Sequence, residues 1–336
     1  CYHFKRWTAI VVARLPFSDG PAMFWALTAG TLLLVAWRMA RPYWRKRPSK
    51  DEAILVTGCD SGFGLHIVKA LLKSTDALIF AGYVTEEGQK LLQTLGPRVM
   101  ATPLDVTKDI EVDAGFEAIL KSGKVLMGVV NNAGIGCYGW TEGLSMEVYE
   151  KIISINLIGL IRVTKRAVPF LRKSKGRLVT MGSLGCRMPS AFGSAYIPSK
   201  AAAGTFQDCV RQETWRFGMR CSLVEPGFFA TGMLHRSASI GDSASKVAAE
   251  TGQDGLREAY GSWEEKMKRT EESVKVAERM NGGEQGVERV VDAVLDALTT
   301  VSPRTRYLVG LDANIVGRLG PFIPDWIVDL LQTYVI

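Results

Sequence analysis

From residue 51 onward, short apolar runs alternate with longer stretches of helical periodicity, and this alternation restricts the fold more than any other feature. The predicted strands are residues 53–57, 77–83, 98–102, 126–131, 176–183 and 220–225, followed by a short one at 307–309. The predicted helices are residues 63–73, 86–95, 109–122, 145–172, 195–217 and 284–299. Strands that are apolar on both faces and separated by helices are typical of a parallel sheet covered on both sides. Because crossovers are right-handed, we predict an α/β fold with a doubly wound sheet of about seven strands.

The positive charge of the chain is concentrated near its beginning. The formal net charge is +7, but residues 1–50 alone hold nine basic residues and one acidic residue. The remainder is therefore nearly neutral, which argues against a nucleic-acid partner.

An apolar run at residues 21–37 lies between these basic residues, with Trp25 and Trp37 near its ends. The run is near the lower length limit for a helix that crosses a bilayer. We predict that residues 1–50 form an N-terminal membrane-anchor helix with a basic flank, which the positive-inside rule would orient with the following domain in the cytosol. A cleaved signal peptide is the rival interpretation, but the run lacks a small-residue cleavage site and is followed by a long basic segment.

Six cysteines and three histidines are scattered along the chain without CxxC pairing. Reduced thiols are expected, and no metal site is predicted.

A glycine-rich turn, Thr57-Gly58-Cys59-Asp60-Ser61-Gly62-Phe63-Gly64, follows the first predicted strand and opens a helix. Glycines let the backbone approach a pyrophosphate, and the helix N-terminus offers free N–H groups to its charge. The second predicted strand ends at Gly82-Tyr83-Val84-Thr85, without a basic residue for a 2′-phosphate. Asp60, Glu86 and Glu87 would repel such a phosphate, so the sequence favours NAD(H) over NADP(H).

Tyr196 and Lys200 stand four residues apart in a predicted helix. They therefore share a helix face, where the ammonium would favour the ionised phenol. Lowering a phenol pKa from about 10 to about 7 requires about 4 kcal/mol, which is the order of one unit-charge attraction at about 4 Å in a dielectric of about 20. One lysine, helped by a second nearby cation, would therefore be enough. The same spacing also occurs in ordinary amphipathic helices, so the pair indicates a catalytic function only together with other motifs.

Four motifs occur together in order: residues 57–64, Asn131-Asn132-Ala133-Gly134, Ser183, and residues 196–200. With these motifs, residues 51–310 resemble the classical short-chain dehydrogenase/reductase family. The resemblance implies a Rossmann fold and four catalytic residues. Tyr196 would be the general acid/base, Lys200 would lower its pKa and hold the nicotinamide ribose, Ser183 would bind the reacting oxygen, and Asn156 would hold a water.

The resemblance also implies a larger set of binding residues. Cofactor contacts would come from Thr57, Gly58, Asp60, Ser61, Gly62, Phe63, Gly64, Asp105, Val106, Asn132, Ala133, Gly134, Tyr196, Lys200, Pro226, Gly227 and Thr231. Substrate contacts would come from Ser183, Cys186, Arg187 and Tyr196. Arg187 is ambiguous, because it could bind a substrate carboxylate or face solvent.

Further stretches, including residues 176–179, 225–229, 303–307 and 321–329, are similar to one branch of the family. This branch includes membrane-bound retinol dehydrogenases, hydroxysteroid dehydrogenases and D-3-hydroxybutyrate dehydrogenase, and its members generally use NAD(H). The implied function is oxidation of a retinoid or steroid alcohol, or the reverse reduction. The alternatives are a small hydroxy acid as substrate, or a catalytically silent NAD-binding protein.

The expected organisation is a catalytic domain at 51–310, with a variable substrate segment at 228–283 and an apolar tail at 311–336. The tail would pack on the core or close the pocket. The resemblance implies an endoplasmic-reticulum membrane, with a mitochondrial membrane as the alternative, and a possible homodimer through the helices at 145–172 and 195–217.

Overall fold

A seven-stranded parallel sheet forms the centre of the protein. The computed structural model describes residues 28–31, 47–229 and 263–333. The strands are β1 Glu52–Val56, β2 Leu78–Tyr83, β3 Val99–Pro103, β4 Val125–Asn131, β5 Arg177–Met181, β6 Arg220–Pro226 and β7 Arg306–Val309. Their order is β3-β2-β1-β4-β5-β6-β7, and all six neighbouring pairs are parallel. The predicted doubly wound sheet is confirmed.

Helices cover both faces of this sheet. They are α1 Gly62–Ser74, α2 Glu86–Gln93, α3 Asp109–Lys121, α4 Met146–Ile153, α5 Leu160–Ser174, α6 Tyr196–Thr214, α7 Trp263–Met280, α8 Val287–Thr299, α9 Leu311–Leu319 and α10 Asp325–Thr333. Helices α1 and α8 contribute to the core on one face, and α3 and α5 to the core on the other. Ile54 and Val56 of β1 belong to the first core, whereas Ala53 and Leu55 belong to the second. The strand is continuously apolar because each face of the sheet is buried.

The strand order places the motifs at one edge of the sheet. Connections leave β1 and β4 in opposite directions, which opens a crevice at the carboxyl ends of these neighbouring strands. The glycine-rich turn follows β1, the Asn131–Gly134 motif begins at the last residue of β4, and Ser183 follows β5. These three segments therefore meet at the crevice.

The helix predicted over 145–172 is interrupted. A π-helical turn, Ser154–Gly159, separates α4 from α5. Such turns are rare and often occur at functional sites, and this one carries Asn156. The apolar periodicity continues through the turn, so the sequence pattern did not reveal it.

The predicted membrane anchor at 21–37 lies outside the described residues, apart from residues 28–31. Among the residues that the structure does describe, no helix has the length and apolar character needed to span a bilayer. Thr231 and much of the substrate segment, residues 230–262, also lie outside the described ranges.

Candidate active site

Three of the predicted catalytic side chains meet where β5 ends and α6 begins. Ser183, Tyr196 and Lys200 all line one cavity. Tyr196 is 7% exposed and Lys200 is 5% exposed. The Lys200 Nζ lies 5.9 Å from the centre of the Tyr196 ring and donates a hydrogen bond of 3.0 Å to the Met181 carbonyl oxygen. The ammonium is thus beside the phenol, as the spacing on the helix predicts.

The surroundings of the phenol determine its protonation. Burial raises the pKa of Tyr196, the nearby Tyr138 acts in the same direction, and a side-chain hydrogen bond with Ser183 lowers it. Burial also lowers the pKa of Lys200. Burial therefore favours the neutral phenol in the protein alone, and the Lys200 ammonium beside the ring acts in the opposite direction. A second positive charge is needed for the phenolate to form near neutral pH.

Asn156 is held beside Lys200 by the π-helical turn. Its side-chain amide donates to the Ile135 carbonyl oxygen at 2.9 Å and to Ser199 Oγ at 3.0 Å, and its Oδ1 accepts from the Ile135 N–H at 2.9 Å. A Cβ at Gly134 would lie 3.2 Å from Asn156 Oδ1 and 3.3 Å from Lys200 Nζ. The two side chains therefore share the narrow space next to Gly134, which is where the predicted water would bind.

The glycines of the turn let the segments after β1 and β4 pack closely against each other. Gly58 has a φ of +66°, and a Cβ there would lie 2.8 Å from the Ala133 Cα. A Cβ at Gly64 would lie only 2.1 Å from the Gly58 oxygen. Ser61 precedes α1 without capping it through its side chain, so the N–H groups of the first helical turn remain available. These features fit the pyrophosphate of a nicotinamide dinucleotide.

Asn132 ties the two sides of the crevice together. Its amide donates to the Thr57 and Gly58 oxygens at 2.9 and 2.8 Å. The Thr57 hydroxyl in turn accepts from the N–H groups of Asn132 and Ala133 at 3.0 and 2.9 Å. This part of the predicted cofactor set fixes the loops after β1 and β4 to each other.

Asp60 lies at the outer end of the crevice. Its Oδ1 accepts from the Val84 and Thr85 N–H groups at 3.0 and 2.8 Å and from the Thr85 hydroxyl at 2.8 Å. A carboxylate is thus fixed at the end of β2, where the adenosine ribose is bound in folds of this kind.

The predicted adenine contacts follow β3. Asp105 Oδ1 accepts from the Thr107 N–H at 2.9 Å, and Val106 is 5% exposed. A Cβ at Gly159 would lie 2.5 Å from Val106 Cγ2, so the π-helical turn packs directly under this segment.

The cavity has a volume of about 340 Å³, which is within the range of small-molecule sites. Its wall is mostly apolar, from Phe63, Tyr138, Met181, Leu184, Met188, Pro189, Ile197, Phe228, Phe229, Val274, Ala277 and Val316. Pro226 and Gly227, which the family resemblance assigns to the nicotinamide, also line it. The cavity therefore connects the cofactor crevice with an apolar chamber.

Two of the predicted substrate residues are not brought to this wall. Arg187 donates from Nε and Nη2 to the two carboxylate oxygens of Glu225, both at 3.0 Å, and from Nη1 to the Gly317 oxygen at 3.2 Å. Glu225 is fully buried and also accepts from Arg306 at 3.2 Å. The Cys186 thiol donates to the Lys200 carbonyl oxygen at 3.1 Å. Both side chains serve internal contacts in this structure.

Sequence reasoning missed several residues around the cavity. Tyr138 has its ring centre 6.0 Å from that of Tyr196, and burial raises its pKa to about 12. Asp312 lines the cavity from the first turn of α9. Tyr138 follows the Asn131–Gly134 motif closely, which is a usable signal, but nothing local to Asp312 indicates its place.

A doubly wound sheet with a glycine-rich crevice and a buried Tyr-Lys pair defines a nicotinamide-dinucleotide oxidoreductase. The model of the short chain dehydrogenase family matches residues 52–240, and the chain belongs to that family.

Curated relatives agree with this assignment. The chain is 37% identical over 273 residues to the mitochondrial D-beta-hydroxybutyrate dehydrogenase of Bos taurus, covering 77% of each chain. It is 31% identical over 320 residues to 17-beta-hydroxysteroid dehydrogenase type 6 of Bos taurus, covering 93% of this chain and 96% of that one. It is 33% identical over 288 residues to retinol dehydrogenase 16 of Mus musculus, covering 84% and 88%.

A solved structure of a short-chain dehydrogenase from Streptomyces avermitilis has the same fold. It superposes with a TM-score of 0.62 at 23% identity, covering 81% of this chain and 93% of that one. The predicted family and its branch are confirmed, and so is an oxidoreductase that acts on alcohol groups.

Proposed function

We propose that the protein interconverts a lipophilic alcohol, a retinoid or a hydroxysteroid, with its aldehyde or ketone, using NAD(H). The observation that carries the proposal is the wall of the cavity at Tyr196. Apolar side chains dominate this wall, and Lys200 is the one cation among its described residues.

The chemistry follows from the positions of four side chains. In the oxidative direction, Tyr196 accepts the proton of the substrate hydroxyl while the hydrogen bond of Ser183 holds the reacting oxygen and favours the phenolate. Lys200 adds positive charge beside the phenol, and a water at Asn156 would pass the proton towards solvent. The bound nicotinamide supplies the hydride acceptor or donor and, when oxidised, a positive charge. All four residues of the expected set are present, which argues against a catalytically silent protein.

A small hydroxy acid is the alternative substrate, because the bovine hydroxybutyrate dehydrogenase is a relative. A carboxylate in an apolar chamber requires a paired cation. Arg187 is bound to Glu225, and two acidic residues, Glu278 and Asp312, line the described wall. The described part of the cavity therefore favours a neutral substrate.

The preference for NAD(H) is supported by the charge at the end of β2. The Asp60 carboxylate is fixed there, and Glu86 and Glu87 begin α2. An additional phosphate on the ribose would approach these negative charges, and no arginine or lysine among residues 82–87 would balance them.

We also propose the cellular setting that suits a lipid-dissolved substrate. Residues 1–50 would hold the protein on the endoplasmic-reticulum membrane, with the mitochondrial membrane as the alternative, and the catalytic domain in the cytosol. A homodimer would form through the helices of residues 145–172 and 195–217. These proposals rest on the sequence pattern and on the family resemblance.

A substrate screen tests the proposed function. The purified full chain is mixed with NAD⁺ or NADP⁺ and with retinol, a set of hydroxysteroids, or D-3-hydroxybutyrate, and NAD(P)H formation is followed at 340 nm. We expect turnover of a retinoid or steroid with NAD⁺. Turnover of hydroxybutyrate alone would replace the proposed substrate class, and NADH binding without turnover of any alcohol would favour the silent protein.

A further inference from the structure

A cluster of hydrogen bonds joins three segments at the cavity: the loop after β6, the end of α7 and the start of α9. Its centre consists of Asn281, which is fully buried, and Asp312, which lines the cavity. We propose that Asn281 and Asp312 are positioning residues. They hold the Gly227–Phe228 segment in place for the cofactor, and they join this segment to the two helices, α7 and α9, that contribute to the apolar wall of the cavity. The inference rests on the proposed function only in assuming that the nicotinamide binds beside Gly227.

The Asp312 carboxylate accepts hydrogen bonds on both oxygens. Oδ2 accepts from the Phe228 N–H at 2.8 Å. Oδ1 accepts from Asn281 Nδ2 at 2.8 Å and from the Ala313 N–H at 2.7 Å. Because every partner is a donor, the site requires an acceptor at both positions, which a carboxylate of this size provides and an amide does not.

Asn281 completes the connection between the segments. Its Nδ2 also donates to the Phe228 oxygen at 2.9 Å, and its Oδ1 accepts from the Leu311 N–H at 2.7 Å. One side chain just beyond α7 thus bonds to the loop after β6 and to the start of α9. Phe228 is held from both its N–H and its carbonyl group.

Glycines make room for these two side chains. A Cβ at Gly227 would lie 2.0 Å from Asp312 Oδ1. Gly310 has a φ of +107°, and a Cβ there would lie 2.5 Å from Asp312 Oδ1 and 2.9 Å from Asn281 Oδ1. The polar pair therefore occupies the space that side chains at positions 227 and 310 would fill.

The cluster touches both parts of the proposed site. Gly227 belongs to the segment that the family uses for the nicotinamide, whereas Val274 and Ala277 of α7 and Val316 of α9 belong to the apolar wall. Holding these groups in place before binding reduces the entropy lost when cofactor and substrate bind. A break in the cluster should therefore weaken both binding steps more than it slows the chemical step.

The test uses two variants of the full chain. Asp312→Asn keeps the size of the side chain but replaces one acceptor oxygen with an NH₂ group. That group would face the Phe228 N–H on one side, or the Asn281 amide and the Ala313 N–H on the other. Asn281→Ala removes the bridge altogether. We expect the Kd for NADH, measured by fluorescence titration, to rise about tenfold in each folded variant. The KM for the alcohol should rise similarly, while kcat changes less than about threefold.

Tyr307→Phe is the matched control. The Tyr307 hydroxyl donates to Asp296 Oδ2 at 2.6 Å and joins β7 to α8, and it does not line the cavity. Its loss should lower the Tm without changing the Kd for NADH. If Asn281→Ala does not fold, Asp312→Asn decides the question.

Values of Kd and KM within twofold of the wild type in a folded Asp312→Asn variant would overturn the proposal. So would a Tyr307→Phe control that weakens NADH binding as much as Asp312→Asn does, because the effect would then be one of general stability. A wild-type protein that binds NADH but oxidises no alcohol would remove the proposed function, and the NADH Kd of the variants would still decide the role of the cluster.

Discussion

The two sides of the cavity are assembled from the chain in different ways. The catalytic side comes from one short stretch, residues 183–200, at the end of β5 and the start of α6. The substrate side combines Phe228 after β6, Val274 and Ala277 of α7, and Val316 of α9. Local spacing can determine the first side, whereas the second exists only once distant segments have packed together. The chemistry of such a site is therefore easier to predict than its substrate.

The largest expected effect falls on the catalytic side. Tyr196→Phe removes the hydroxyl that transfers the proton, so kcat should fall by about 10³-fold or more while the Kd for NADH stays near the wild-type value. Steady-state assays and fluorescence titration measure both quantities.

Tyr149→Phe provides the matched control for that substitution. The Tyr149 hydroxyl is hydrogen-bonded to Ser194 Oγ at 2.8 Å, and the residue does not line the cavity. This variant should retain its turnover. Residual kcat above about one tenth in Tyr196→Phe would remove the phenol from its proposed role.

The next prediction asks whether Arg187 stabilises the fold or binds the substrate. Arg187→Met leaves the fully buried Glu225 with Arg306 as its remaining partner. The free energy of unfolding should fall by about 3 kcal/mol, because a buried charge loses a partner. The KM for a neutral alcohol should stay close to the wild-type value. Urea unfolding and kinetics test the two statements.

Arg47→Met is the control for stability, since Arg47 pairs with Asp76 and both side chains are largely exposed. Its removal should cost less than about 1 kcal/mol. If Arg187→Met abolishes turnover of a hydroxy acid while leaving stability unchanged, Arg187 is a substrate residue after all.

Ser183 links the catalytic side to the pH dependence of the reaction. Its hydrogen bond lowers the pKa of Tyr196, whereas burial raises it. Ser183→Ala should therefore move the pKa of the phenol upward. Alcohol oxidation needs the phenolate, so its kcat/KM should rise with pH and reach its plateau at a higher pH in the variant. At pH 7 we expect a loss of about 10²-fold.

The pH profile separates this role from a purely steric one. Carbonyl reduction uses the neutral phenol, so the pH above which its kcat/KM declines should also move upward in the same variant. A profile of unchanged midpoint would show that Ser183 positions the substrate without influencing Tyr196.

The contrast between the two sides also explains how much of the molecule the sequence reveals. The sequence predicts the strands because β1 and its neighbours are apolar on both faces. It predicts the turn at residues 57–64 because glycines at that spacing, between a strand and a helix, are typical of a dinucleotide-binding turn. Ser183, Tyr196 and Lys200 belong to the same local category. The π-helical turn at Asn156 was not visible, because one inserted residue hardly alters the apolar periodicity of a helix.

The ion pair of Arg187 and the cluster of Asn281 and Asp312 could not be predicted from the sequence. Each joins side chains far apart along the chain, and no local pattern states which donor will meet which carboxylate. The sequence leaves two roles open for Arg187, binding a substrate carboxylate or facing solvent, whereas in the structure its guanidinium is bonded to Glu225. Tertiary packing determines which buried charges form ion pairs, and nearness in the sequence is a poor guide to these pairs.

The smallest expected effect concerns cofactor choice, at the outer end of the cofactor crevice, which lies on neither side of the cavity. Asp60→Asn preserves an oxygen that accepts from the Val84 and Thr85 N–H groups but removes the negative charge. The preference for NAD⁺ over NADP⁺, expressed as the ratio of kcat/KM values, should fall by about tenfold, or about 1.4 kcal/mol.

Glu87→Gln is the matched control, because it removes a charge from the exposed first turn of α2. Solvent and salt screen that charge, so the ratio should change by less than about threefold. An equal response to both substitutions would mean that the overall negative charge sets the preference, and no change in either would require another basis for cofactor selection.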